Sequence, residues 1–291
     1  MGGRAVGPRD ARMRYVRCGS ALWVMGAVLC SVSGCFHSGM PDGVSGPDTY
    51  VRSFAWQSDG TSWTWEFRIP SALYAHYRSQ SHRRWCLDDS CDWYRYVTDP
   101  NDDAYIEALT TELIRAMEAR YSAGQLYHKL LQFTLDFVTA AIPYTKDELE
   151  EWPKYPIETL VEVAGDCEDT SILYTSLVRP LGYGVHFLLL PGHAATAVEV
   201  HRSFIENAPY EVGYYTHANR YFVFCETTGD PARTGYIRVG QLPPDSRDDF
   251  LAGRWFFYDV QLQAANRATA QLSSPVSQPT DADWLQWVEL P

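Results

Sequence analysis

Three short stretches hold the side chains that could do chemistry. In the first, Gly165-Asp166-Cys167-Glu168-Asp169-Thr170 runs directly into the apolar residues Ser171-Ile172-Leu173-Tyr174. Asp166 can cap a helix while Asp169 reaches back as in a capping box, which puts Cys167 in the first turn. The unpaired amide N–H groups and the positive end of the helix dipole favour a thiolate there, so the position is expected to lower the thiol pKa. Glu168 and Asp169 oppose that effect, and both side chains are expected to point away or to be taken up in hydrogen bonds. Taken alone, Cys167 also fits a buried structural cysteine.

The second stretch, Leu188 to Val198, is a Pro191-Gly192 turn between apolar runs, with His193 at the mouth of the second. Apolar neighbours desolvate the imidazole in part, so it needs a partner. The third, Tyr221 to Gly229, ends a strand at Glu226. If the two strands lie antiparallel, Glu226 can orient His193. Cys225 must then face the opposite side of the pleat, as a core residue and not as a second nucleophile.

A cysteine at a helix start, a histidine 26 residues later and a carboxylate 33 beyond that follow the order of the transglutaminase-like superfamily. Ile142-Pro143-Tyr144, Tyr155 to Leu160, Gly165 to Thr170, Leu190-Pro191-Gly192-His193 and Glu226-Thr227-Thr228 resemble its prokaryotic cysteine-peptidase branch over roughly residues 125 to 240. The resemblance implies a papain-like site, with Cys167 as nucleophile, His193 as general base and acid, and Glu226 where many members carry Asp. It also implies acyl transfer through a thioester, with the Cys167 backbone N–H as one oxyanion donor. Tyr144 and Trp152 are the substrate-binding candidates and the aromatic candidates for the second donor. Crosslinking members typically carry a tryptophan beside the nucleophile or serving the oxyanion site. Here Glu168 follows it, which favours hydrolysis over crosslinking.

The elements that must position these residues are legible in the periodicity. Phe54, Trp56, Trp63, Trp65 and Phe67 alternate about Ser58-Asp59-Gly60-Thr61, the pattern of a β-hairpin. Apolar residues at helical spacing predict helices over Asp103 to Tyr121, Gln125 to Ala141 and Cys167 to Val178. Strand-like runs follow at Val185 to Leu190, Ala194 to His201, Arg220 to Cys225 and Trp255 to Val260. Helices first and strands later argue for an α+β fold, a nucleophile-bearing helix packed on an antiparallel sheet after a hairpin and helices. The chain divides at 51–124, the hairpin and helical region, 125–260, the catalytic domain, and 261–291, a tail rich in Ala, Gln, Ser and Pro whose end, Trp284 to Leu290, can dock back on the body.

The N-terminus reads as an export signal over 1–34. Arg4, Arg9, Arg12, Arg14 and Arg17 precede an apolar run, Ala21 to Val32, that is too short for a stable membrane anchor. Val32-Ser33-Gly34-Cys35 resembles a bacterial lipobox, which makes Cys35 the lipidation candidate. An ordinary signal peptide or a short N-terminal anchor is the alternative. A Gly/Ser/Pro-rich tether covers 35–50. In an exported chain the simplest account of Cys86 and Cys91 is a small loop disulfide; with His82 they form an incomplete set for a metal. No metal and no cofactor is expected. The chain has 291 residues and a net charge of −12, with no basic cluster interleaved with aromatics beyond residue 20, which argues against nucleic acid as a partner. The expected partners are a protein or peptide substrate and, through the lipid, a membrane of the cell envelope. A non-enzymatic binding module on the same fold is the competing function.

Overall fold

The computed structural model describes residues 34–36, 48–82, 93–99, 102–147, 152–231 and 235–260. Most of the export segment, Cys86, Cys91 and the tail lie outside the described residues.

The hairpin pairs β2 (Thr49–Ser58) with β3 (Thr61–Pro70) across Asp59-Gly60. Both turn residues have positive φ, 49° and 71°, the geometry of a two-residue turn that matches strand twist and for which Asp-Gly is suited. A short β1 (Gly34–Phe36) runs parallel to β3, with Cys35 opposite Thr64. Alternation sends Phe54, Trp56, Trp63, Trp65, Phe67 and Ile69 to one buried face. Helix α1 (Ser71–Arg78) follows directly, then α2 (Tyr94–Val97), α3 (Asp103–Glu118) and α4 (Ala123–Ala141). Trp56 and Trp63 meet Phe137 and Phe133 of α4 with ring centroids 5.1 and 4.9 Å apart. Each such buried side chain contributes roughly 1.5–3 kcal/mol, so the hairpin is bound firmly to the helical layer.

Beyond α4 come α5 (Pro156–Glu162) and α6 (Cys167–Val178), then β4 (Val185–Leu190), β5 (His193–Val200), α7 (Arg202–Asn207), β6 (Tyr214–His217), β7 (Arg220–Cys225), α8 (Pro244–Leu251) and β8 (Phe256–Asp259). The five strands form one antiparallel sheet in the order β6-β7-β5-β4-β8. The fold is therefore α+β, with α6 packed on an antiparallel sheet. The expected antiparallel pairing of the histidine and glutamate strands is present, with Thr196 opposite Cys225.

From Glu168 onward every residue of α6 is buried, polar ones included. Several of those polar groups are satisfied against the sheet and the loop that leaves β7. Thr175 Oγ1 meets Thr196 Oγ1 at 3.0 Å, the Thr196 hydroxyl donates to the Ser171 carbonyl at 3.2 Å, and Thr170 and Ser171 each meet Thr227 Oγ1, at 3.0 and 2.8 Å. Buried hydroxyls persist only when paired in this way.

Candidate active site

The start of α6 is built by a tight local arrangement. Gly165 leads in, and a Cβ there would lie 2.7 Å from Asp169 Cβ, so the position requires glycine. The expected capping box is present: the Asp166 side chain accepts from the Asp169 backbone, and the Asp169 carboxylate accepts from the Asp166 N–H. Asp169 is fully buried and also takes the Lys154 backbone N–H at 2.7 Å and Lys154 Nζ at 2.9 Å. The segment around residue 154 is thus tied to the helix start.

Cys167 is partly buried at this helix start, and Cys225 is fully buried in β7. Burial pushes the Cys225 thiol up to about 12, as befits a core residue. Glu168 is taken up in a hydrogen bond, the second of the two expected alternatives, and the donor is the Cys167 thiol itself, to Oε2 at 3.2 Å. One expectation needs correction: the thiol pKa is not lowered, because burial first and the Glu168 charge second push it well above that of a free cysteine, against a smaller opposing hydrogen bond from the Ala194 backbone N–H. Burial and the neighbouring carboxylate prevail over that hydrogen bond, so the resting group is a thiol.

His193 stands at the first position of β5, next to the Ala194 N–H that bonds the sulfur. Its Nε2 lies 2.9 Å from Glu226 Oε2, and Glu226 Oε1 accepts from the Thr228 N–H at 3.0 Å and the Thr228 hydroxyl at 2.6 Å. Burial opposes charge on Glu226, but the His193 and Thr228 bonds outweigh it and hold the carboxyl below its ordinary value. An ionised carboxylate only accepts, so Nε2 carries the proton and donates. Nδ1 is left as the basic nitrogen of the neutral ring, and among the described residues no hydrogen bond engages it.

Tyr144 and Trp152 are placed differently. Tyr144 bridges to Gly165, two residues before Cys167, with its side chain 53% exposed. Trp152 stacks on His82 at 4.1 Å, under the Arg78 guanidinium, and its backbone N–H bonds Asp147. His82 in turn meets Glu158 at 2.7 Å, a buried contact with no counterpart in the sequence reading. Asp147, Asp166 and Glu168 bring one oxygen each within 4.8 Å of one another; this is the donor set among the described residues that could hold a metal ion, and no feature of their spacing in sequence announced it.

No family profile matches the chain, and no curated protein matches it. Among solved structures, one from Cytophaga hutchinsonii described provisionally as a cysteine protease is similar at 13% identity and a TM-score of 0.29, covering 62% of this chain and 56% of that one. The chain thus spans little more than half of that protein's length.

Proposed function

We propose that the protein is a cysteine hydrolase of peptide or isopeptide amides, with Cys167 as nucleophile, His193 as base and acid, and Glu226 as the residue that orients the imidazole. The observation that carries this reading is the His193–Glu226 pair: it directs a basic Nδ1 away from the carboxylate, at the end of β5 whose next amide already bonds the sulfur. A raised thiol pKa fits a mechanism in which the proton leaves only when substrate is in place. His193 Nδ1 accepts the thiol proton and the sulfur adds to the amide carbonyl. The backbone N–H of Cys167, at the helix start, receives the developing oxyanion. The C–N bond then breaks as the imidazolium protonates the leaving amine, and water attacks the thioester with His193 as base.

Hydrolysis is preferred over crosslinking because the carboxylate of Glu168 keeps a polar group at the sulfur, where a shielded apolar channel would be needed for an amine to outcompete water. Residues 1–34 as an export signal and Cys35 as a lipid anchor complete the reading, placing the acidic body on the far side of a membrane. The test is acyl-enzyme capture. A peptide-amide library is incubated with wild type, Cys167→Ser and His193→Ala, and adducts are read by intact mass. Acylation at Cys167 that resolves to free acid in the presence of millimolar primary amine supports the reading. Adduct formed equally in His193→Ala removes the histidine, and a predominant amine adduct makes the protein a transglutaminase.

A further inference from the structure

One exposed aromatic side chain, Phe256, stands in register with the residue that bonds the Cys167 sulfur. Phe256 is 73% exposed, the most open large apolar side chain among the described residues, at the first position of edge strand β8. The register places it in line with the site. Ala194 pairs with Leu189, and Leu189 pairs with Phe256, so all three side chains lie in one row on one face of the sheet. That face is the one that carries α6, since Thr196, two residues along from Ala194, bonds Thr175. Ala194 is also the residue whose N–H bonds the sulfur. Two inter-strand spacings of about 4.8 Å put Phe256 roughly 10 Å from Ala194, about three residues of an extended chain. The next row inward is closed, because Trp93 stacks on Phe187 at 4.6 Å, whereas Leu189 is only partly buried and Phe256 is open. Tyr144 also stands exposed, at its bridge to Gly165.

We propose that Leu189 and Phe256 form an apolar specificity subsite for the substrate, so that the preferred peptide carries a bulky apolar side chain two to three residues from the amide that Cys167 attacks. The inference deepens the hydrolase reading and rests on it. An extended peptide is the occupant because the row leads from the sulfur's own hydrogen-bond partner to the sheet edge, a path that a chain acylating Cys167 can follow. Covering an exposed Phe with a Leu side chain removes enough apolar surface from water for about a tenfold preference.

The experiment uses affinity labelling, so that it does not depend on amide turnover. Three tripeptidyl chloromethyl ketones carrying Leu, Ser or Lys at the second and third positions before the warhead are reacted with the full chain, and the rate at Cys167 is read by peptide mapping, with iodoacetamide as the untargeted control. The Leu probe is expected to label about tenfold faster than the other two. Phe256→Ala should reduce that preference to about twofold or less without changing the iodoacetamide rate, and Phe256→Tyr should keep it. Equal rates for the three probes in wild type, or a preference that survives Phe256→Ala, overturns the subsite. Iodoacetamide labelling with no peptidyl probe reacting overturns it as well. Failure of the hydrolase reading shows separately, as no acyl-enzyme in any variant while the Leu preference in alkylation stands.

Discussion

Replacing Glu168 by Gln keeps the shape of the side chain and removes the charge that faces the Cys167 thiol. At the observed 3.2 Å, two unit charges interact by about 5 kcal/mol at an effective dielectric of about 20 and by about 1.3 kcal/mol in bulk water. Divided by 1.36 kcal/mol per unit, the thiol pKa should fall by between about one and about four units. It should stay above that of a free cysteine if burial, the larger cause of the upward push, is retained. The alkylation rate gains less than the thiolate population, because a less basic thiolate is intrinsically weaker with a Brønsted slope of about 0.5, so each unit yields roughly a threefold gain. The net expectation is therefore an acceleration of between roughly 3-fold and 100-fold at pH 7. Iodoacetamide kinetics at pH 7 and upward to pH 10, followed at Cys167 by peptide mapping, measure the rate and its rise with pH. An unchanged or slower rate at pH 7 in Glu168→Gln would falsify the assignment of Glu168 as a brake on the thiol.

Glu226, held below its ordinary 4.5, contributes stability that is complete above that pH and is lost as pH falls through the lower folded-state value. The difference in urea midpoint between wild type and Glu226→Gln should therefore be constant near neutrality and shrink below about pH 4.5; a difference that grows on acidification contradicts the pairing. Lys154→Met leaves the buried Asp169 carboxylate without its ammonium, at an expected cost of about 3 kcal/mol in urea unfolding at pH 7; a loss under about 1 kcal/mol would show that the backbone bonds suffice. Gly165→Ala forces a Cβ against Asp169 and should cost about 1–3 kcal/mol while displacing the helix start. Acylation of Cys167 in that variant is expected to fall well beyond what the fraction unfolded explains, and an unaffected acylation rate would separate the loop from the site.

Much of the frame could be read from residue order, and the reasons are local. Helix α6 begins at Cys167 and ends at Val178 as its cap signature and apolar run require, and β4 and β7 begin and end where their apolar runs do. The Asp-Gly turn forces the hairpin. Helix α3 stops at Glu118, short of the expected Tyr121, because the chain there bends into α4, which starts at Ala123 rather than at Gln125. Elements α1, α2, α5, α7 and α8 leave no periodic signal, since helices of eight residues or fewer carry too few apolar repeats to show one. Strand β6 has only four residues and a largely exposed face. Within the site, the Thr228 bonds to Glu226 lie two residues away in sequence and fall within the Glu-Thr-Thr motif. The direction of Glu168 was not legible. A residue in the first turn can face the sulfur or solvent, and the corner into which Glu168 turns is shared with Asp147, 21 residues earlier in the chain.

The hydroxyl pairs between α6 and the sheet have a consequence for evolution of the site. A helix enclosed by leucines alone can rotate or slip by a fraction of a turn and regain most of its contacts, because dispersion and burial have no direction. Thr170, Ser171 and Thr175 cannot do so against Thr227 and Thr196, since a shift of an ångström leaves several buried hydroxyls unpaired at once. They act as a gauge that fixes where the first turn stops, and so where the sulfur stands relative to Ala194 and the strand end of His193. Replacing them by apolar residues of the same volume could leave the fold as stable as before and still blur that distance. Selection on these threonines and serines is then selection for placement, and a drifting lineage that no longer needs the sulfur should lose them before it loses the core.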